Sequence, residues 1–152
     1  MHNLREYNGT FKGLIGESMF KLTDKYLTLN RFCNKQKYFN TFNKYLTKIQ
    51  AEFINKHWFS IDAIKISFDK GKKIYLYEIK TKNKYQKPRS YWKIKFTQST
   101  VNIYREALKL GFEVKIAIVW LLDDWNYEIQ FQDFKTADYC IDKPKKYDLK
   151  SI

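Results

Sequence analysis

Trp58-Phe59-Ser60-Ile61-Asp62-Ala63-Ile64-Lys65-Ile66-Ser67-Phe68, Asp69-Lys70-Gly71-Lys72 and Lys73-Ile74-Tyr75-Leu76-Tyr77-Glu78-Ile79-Lys80-Thr81-Lys82 form the stretch on which the fold turns. The first and third pieces are rich in β-branched and aromatic residues and read as two strands. The piece between them reads as a reversal, with Gly71 supplying the positive φ that a tight turn needs. Side chains alternate along a strand, so Leu76, Glu78 and Lys80 share one face while Tyr77, Ile79 and Thr81 take the other. Glu78 and Lys80 then project together, about 7 Å apart. Asp62 lies on the neighbouring strand, within reach of Glu78 if the register is favourable.

Two carboxylates about 4 Å apart repel by roughly 4 kcal/mol at an effective dielectric of 20. That repulsion is out of place in a stabilising face and in place around a divalent cation with oxygen ligands. Ile61, Ala63, Ile64 and Ile66 surround Asp62 with apolar neighbours, a setting in which an acid needs a partner or a metal. The competing reading of Glu78-Ile79-Lys80 alone is a solvated salt-bridge face.

The order of these residues resembles the nuclease superfamily named for its PD-(D/E)xK motif, which includes restriction endonucleases and archaeal Holliday junction resolvases. Asp62 and Glu78-Ile79-Lys80 stand at the motif positions, and Ile61 replaces the proline. Gly13-Leu14-Ile15-Gly16-Glu17 resembles the start of the first helix in resolvase-like nucleases, where a helix glutamate joins the metal site. The resemblance implies that Asp62, Glu78, the Ile79 carbonyl and Glu17 hold Mg²⁺, with Mn²⁺ as a substitute, and that Lys80 is the catalytic lysine. Gln98 lies where some members carry a glutamine near the active site. One departure is plain: a whole extra helix lies between Glu17 and Asp62, an interval that is shorter in the archaeal resolvases.

Composition is consistent with this assignment. The chain of 152 residues carries 29 basic against 16 acidic residues, a net charge of +13. Such an excess selects an anionic partner, with nucleic acid the default. Hydrophobic residues at 44% and aromatics at 18% argue against disorder. Cys33 and Cys140 are far apart and form no CxxC, which argues against a zinc or iron–sulfur centre and for a reducing, cytoplasmic setting. No apolar run reaches transmembrane length, and the amino terminus lacks a signal-peptide core.

Outward from the hairpin, a first helix is expected from about Thr10 to Leu29, capped by Asn8-Gly9-Thr10. Gly13 and Gly16 inside it point to close approach of a strand or a DNA backbone. A second helix is expected from about Lys37 to Lys56, burying Phe39, Phe42, Tyr45, Leu46, Ile49, Phe53 and Ile54. His57, beside Trp58, reads as structural. Asn83 to Lys95 reads as a loop in which basic residues interleave with aromatics. Lys82, Lys84, Tyr85, Lys87, Arg89, Trp92 and Lys93, together with Gln98, are the candidate DNA contacts: cations for phosphates and rings for unpaired bases.

Thr97 caps a helix from Gln98 to Leu110, with Val101, Tyr104, Ala107 and Leu108 inward and Gly111 as the stop. Phe112 to Leu122 reads as a buried central strand. Asp123 and Asp124 make a turn, and Tyr127 to Phe131 forms an edge strand. The tail from about Thr136 shows no period and reads as peripheral or as an oligomer contact.

The whole is expected to be a single α/β domain: a restriction-endonuclease-like sandwich with a mixed central sheet and an extra N-terminal helix. The expected activity is Mg²⁺-dependent hydrolysis of DNA phosphodiester bonds, Holliday junction resolvase-like in its structure-selective form, by a homodimer. The alternatives are a basic nucleic-acid-binding module without chemistry and a nuclease-fold subunit that needs a partner.

Overall fold

The computed structural model describes residues 14–19, 27–28, 42–83, 94–123, 126–137 and 139–142. Within them the chain is α/β, with one mixed five-stranded sheet and a second sheet of two strands. Helix α1 (residues 14–19) is followed by β1 (Leu27–Thr28), α2 (Lys48–Lys56), β2 (Ala63–Ser67), β3 (Lys73–Asn83) and β4 (Ile94–Thr97). Then come α3 (Gln98–Lys109), β5 (Glu113–Leu121), β6 (Tyr127–Asp133) and β7 (Tyr139–Asp142). The larger sheet runs β1-β2-β3-β5-β6, and β4 pairs with β7.

The hairpin forms as the sequence predicts. β2 and β3 are antiparallel from Ser67↔Lys73 to Ala63↔Tyr77. The reversal between them takes positive φ at two successive residues, Lys70 (118°) and Gly71 (88°). β3 then pairs in parallel with β5, and β5 pairs antiparallel with β6. β5 is buried on both faces from Ile116 to Leu121, as the nearly unbroken apolar run requires.

Each face of the sheet has its own core. On one, Leu76, Ile116, Ile118 and Trp120 pack with Phe53 and Ile54 of α2 and with Val101, Tyr104 and Ala107 of α3. On the other, Ala63, Tyr77, Ile79, Ala117, Val119 and Leu121 pack with Ile15 and Met19 of α1. Gln50, the buried polar residue of the first core, ties α2 to the end of α3 by donating from Nε2 to the Leu110 carbonyl at 3.0 Å.

Several boundaries differ from expectation. The first helix does not reach Leu29, because Leu27 and Thr28 pair with Ile64 and Ala63 at the sheet edge. The second helix starts at Lys48, where a capping box sets it: Thr47 Oγ1 accepts from the Gln50 amide, and Gln50 Oε1 accepts from the Thr47 amide. Ile49, expected inside, is 61% exposed on that shifted helix. Trp58–Ser60 is a 3₁₀ turn that buries Trp58 before the strand begins. Ile94 and Lys95 belong to β4, and the tail supplies β7, anchored by stacking of Phe134 on Tyr139 at 5.2 Å. Thr97 caps α3 by accepting from the Thr100 amide, and Gly111 ends it at φ +90°. The expected helix starts at Thr10 and Lys37, Gly13, Cys33, Asp124 and the chain beyond residue 142 lie outside the described residues. No described helix is long and apolar enough to cross a membrane.

Candidate active site

Asp62 and Glu78 meet at the open end of the hairpin. The ladder's last pair is Ala63↔Tyr77, and Asp62 stands just beyond it, near enough to Glu78 for the two charges to act on each other. Here the ladder changes character. The Asp62 amide donates to the Tyr77 carbonyl at 3.3 Å, and Asp62 Oδ2 accepts from the Ile79 amide at 2.8 Å. A carboxylate thus stands where a strand carbonyl would otherwise pair. In an antiparallel ladder a residue's N–H and C=O point to the same side, so the Ile79 carbonyl lies on the edge that Asp62 occupies.

Glu78 is held from two sides. Its Oε2 accepts from the Tyr104 hydroxyl at 2.5 Å, and its Oε1 lies 3.6 Å from the Lys80 ammonium. The Glu78 side chain is 12% exposed and that of Lys80 is 29% exposed, so the lysine forms the solvent-facing lip. Lys80 Nζ also sits 5.0 Å from the centre of the Phe96 ring, a cation–π contact that fixes its head.

Glu17 reaches the same place from the opposite layer. A Cβ on Gly16 would fall 1.9 Å from Thr81 Oγ1, so α1 rests directly on β3 at the only side-chain size that permits it. This is the close approach that the glycine predicts, and it is made to a strand. The charge of Glu17 acts at Asp62 in the same direction as burial and Glu78, raising that carboxyl.

The electrostatics follow from burial. Burial first, and the Glu78 charge second, push the Asp62 carboxyl well above its ordinary value, against the opposing hydrogen bond from Ile79. Burial likewise raises Glu78, with Lys80 and the Tyr104 hydroxyl pulling the other way. Burial and the two carboxylates hold the Tyr104 phenol well above its usual value, so it remains a donor.

Asp62, Glu78 and the Ile79 carbonyl are hard oxygen donors of the kind Mg²⁺ and Mn²⁺ take, and their mutual repulsion is what a dication relieves. With Glu78 drawn to Tyr104 and Lys80, and Asp62 turned onto Ile79, no three His, Cys, Asp or Glu side chains among the described residues are grouped as a ligand set.

Other expected site residues stand elsewhere. Gln98 is exposed on the first turn of α3, its amide donating to Asn102 Oδ1 at 2.8 Å within the helix. Lys82 is half-buried near the end of β3, on the face of Glu78 and Lys80. Lys84, Tyr85, Lys87, Arg89, Trp92 and Lys93 lie outside the described residues. His57 packs on Phe53 at 4.8 Å, and burial lowers its pKa. Asp123 makes its turn, its carbonyl accepting from the Asn126 amide.

Tyr104 is the residue that reading the chain for motifs passes over. Its signal was a phenol in a stripe otherwise filled by Val101, Ala107 and Leu108, since a buried Tyr hydroxyl must find a partner. No known protein family, curated protein or solved structure matches this chain.

Proposed function

We propose that the chain is a metal-dependent DNA nuclease with a restriction-endonuclease-like core, hydrolysing phosphodiester bonds. The observation that carries this reading is the pair of half-buried acids, Asp62 and Glu78, close enough for the Glu78 charge to act on Asp62, with Lys80 3.6 Å from Glu78. A sheet built for stability alone would not draw two acids together away from most of their water.

Asp62, Glu78 and the Ile79 carbonyl would hold one or two Mg²⁺ ions, with Glu17 assisting directly or through water. When bound, the metal lowers the pKa of a water and neutralises charge on the phosphate. Lys80 orients the attacking water or a phosphate oxygen by a charge-assisted hydrogen bond, and its ammonium stabilises charge gathering on the phosphoryl oxygens. Phe96 keeps that ammonium in place. The water oxygen bonds to phosphorus as one phosphorus–oxygen bond of the backbone breaks. The departing oxygen leaves as a hydroxyl of the cut strand, taking up a proton from solvent as the attacking water gives one up. The net charge of +13 draws the polyanion to the surface. A homodimer is the assembly that two symmetric cuts in a junction would require.

The test is cleavage of labelled single-stranded, duplex, flapped and four-way-junction DNA by the wild type and Glu78→Ala, with Mg²⁺ and with EDTA. Metal-dependent cutting that falls at least ~100-fold in the variant is expected, beyond what loss of an outer-shell partner costs. Equal rates in the two proteins would sink the assignment.

A further inference from the structure

We propose that Tyr104 is the positioning residue of this site, its hydroxyl gripping one oxygen of Glu78 so that the carboxylate presents the other. The inference rests on the nuclease reading above. The division of labour is visible in the two oxygens: Oε2 accepts from Tyr104 at 2.5 Å, while Oε1 faces Lys80 at 3.6 Å. A glutamate with one oxygen occupied by a fixed donor offers a cation a single oxygen in one direction. A Glu free to turn would offer either or both.

Tyr104 is suited to the task because it is held on several sides. Its side chain is fully buried, and its ring packs against Phe134 at 5.7 Å. The helix that carries it is capped at Thr97 and tied at its far end to Gln50. A merely structural hydroxyl had another acceptor within reach, the Ser60 carbonyl at 3.4 Å. The phenol has one proton to give, and the far shorter contact is to Glu78. Outer partners of this kind orient metal ligands, and their removal lowers metal affinity or activity by about 10–100-fold.

The experiment titrates Mn²⁺ alone, without DNA, into the wild type, Tyr104→Phe, Glu78→Ala and the double variant by calorimetry. Cleavage of the preferred DNA is measured in parallel. Tyr104→Phe keeps the ring and removes the hydroxyl. The expected result is Mn²⁺ affinity weakened by about 10–100-fold, with kcat reduced and KM for DNA unchanged. In the Glu78→Ala background the same change should have no further effect. Mn²⁺ affinity within twofold of wild type in Tyr104→Phe overturns the proposal and leaves the nuclease reading intact. A wild type that neither binds Mn²⁺ nor cuts overturns both, and is recognised because the parent itself is silent. Should Tyr104→Phe not fold, a fluorinated tyrosine at position 104 keeps the size and hydroxyl while strengthening the donor. A shift in Mn²⁺ affinity then supports the role, and an unchanged affinity overturns it.

Discussion

Two cross-strand clusters of charge in the same sheet are built on opposite principles. Between β5 and β6, Lys115 stands directly opposite Asp133 and the two side chains are hydrogen-bonded, each about a third or more exposed. Where β2 leaves β3, Asp62 lies beside Glu78, acid next to acid, both half-buried. The first arrangement is what sheets ordinarily select, since opposite charges across a ladder are favourable and like charges are not. The second persists only because the surroundings over-determine it: the Ile79 amide, the Tyr104 hydroxyl and the Lys80 ammonium all converge there. The lesson is that a charge's neighbours, and not its presence on a strand, separate a surface pair from a candidate site.

The largest disturbance should come from the layer behind the acids. Gly16→Ala puts a methyl into Thr81, whose Oγ1 and Cβ would lie at 1.9 and 2.9 Å from it. Overpacking of this kind costs roughly 1–3 kcal/mol, or some 2–12 °C in Tm at about 2–4 °C per kcal/mol for a chain of this size. Glu17 should be displaced with α1. Thr81→Gly in the same background opens the space and should restore part of the loss. A Gly16→Ala protein that melts with the wild type would show that α1 can lift from β3 at no cost.

Neutralising an acid of the half-buried pair should act in the opposite sense on stability. Glu78→Gln keeps an acceptor for Tyr104 and removes one of two repelling charges, so metal-free protein should gain on the order of 1 kcal/mol while losing cleavage. The pH dependence has the same origin. Folding raises both carboxyls above their unfolded values. Between the ordinary carboxylate range and the raised folded values the native state therefore binds more protons than the unfolded chain. Stability falls as pH rises through that window. Without metal, Tm should be higher at mildly acidic than at neutral pH, and Glu78→Gln should flatten the slope. A wild-type Tm that climbs steadily from pH 5 to 7.5 would contradict the repulsion.

Much of this was legible in the residues. Alternation along Lys73–Lys82 placed Glu78 and Lys80 on one face, and Gly71 and Gly111 marked a turn and a helix stop because only positive φ suited them. Gly16 announced a close approach. The sequence was less informative where tertiary pairing outweighed local pattern. Leu27 and Thr28 fit a helical stripe yet complete a sheet edge, and Tyr139–Asp142 finds its partner over forty residues upstream in β4. The Thr47–Gln50 box was readable and would have shortened the second helix. Tyr104 was legible as core, but its bond to Glu78 spans 26 positions that no local period connects.

The smallest effect should be found at the pair that looks most like a salt bridge. Lys115 and Asp133 are 30% and 43% exposed at their side chains, so water screens both and each retains hydration when the other is removed. Pairs of this exposure contribute about 0–1 kcal/mol. Asp133→Asn should therefore shift Tm by no more than about 4 °C, with the shift shrinking as salt is added, and cleavage should be unchanged. The contrast with Glu78→Gln is then one of sign as well as size: removing the acid from the balanced pair weakens the fold slightly, and removing it from the unbalanced pair strengthens it. If both substitutions destabilise the metal-free protein, the Asp62–Glu78 pair is held together by its hydrogen bonds more strongly than it is driven apart by its charge. The acids would then be part of the scaffold, and the case for a site would rest on Lys80 alone.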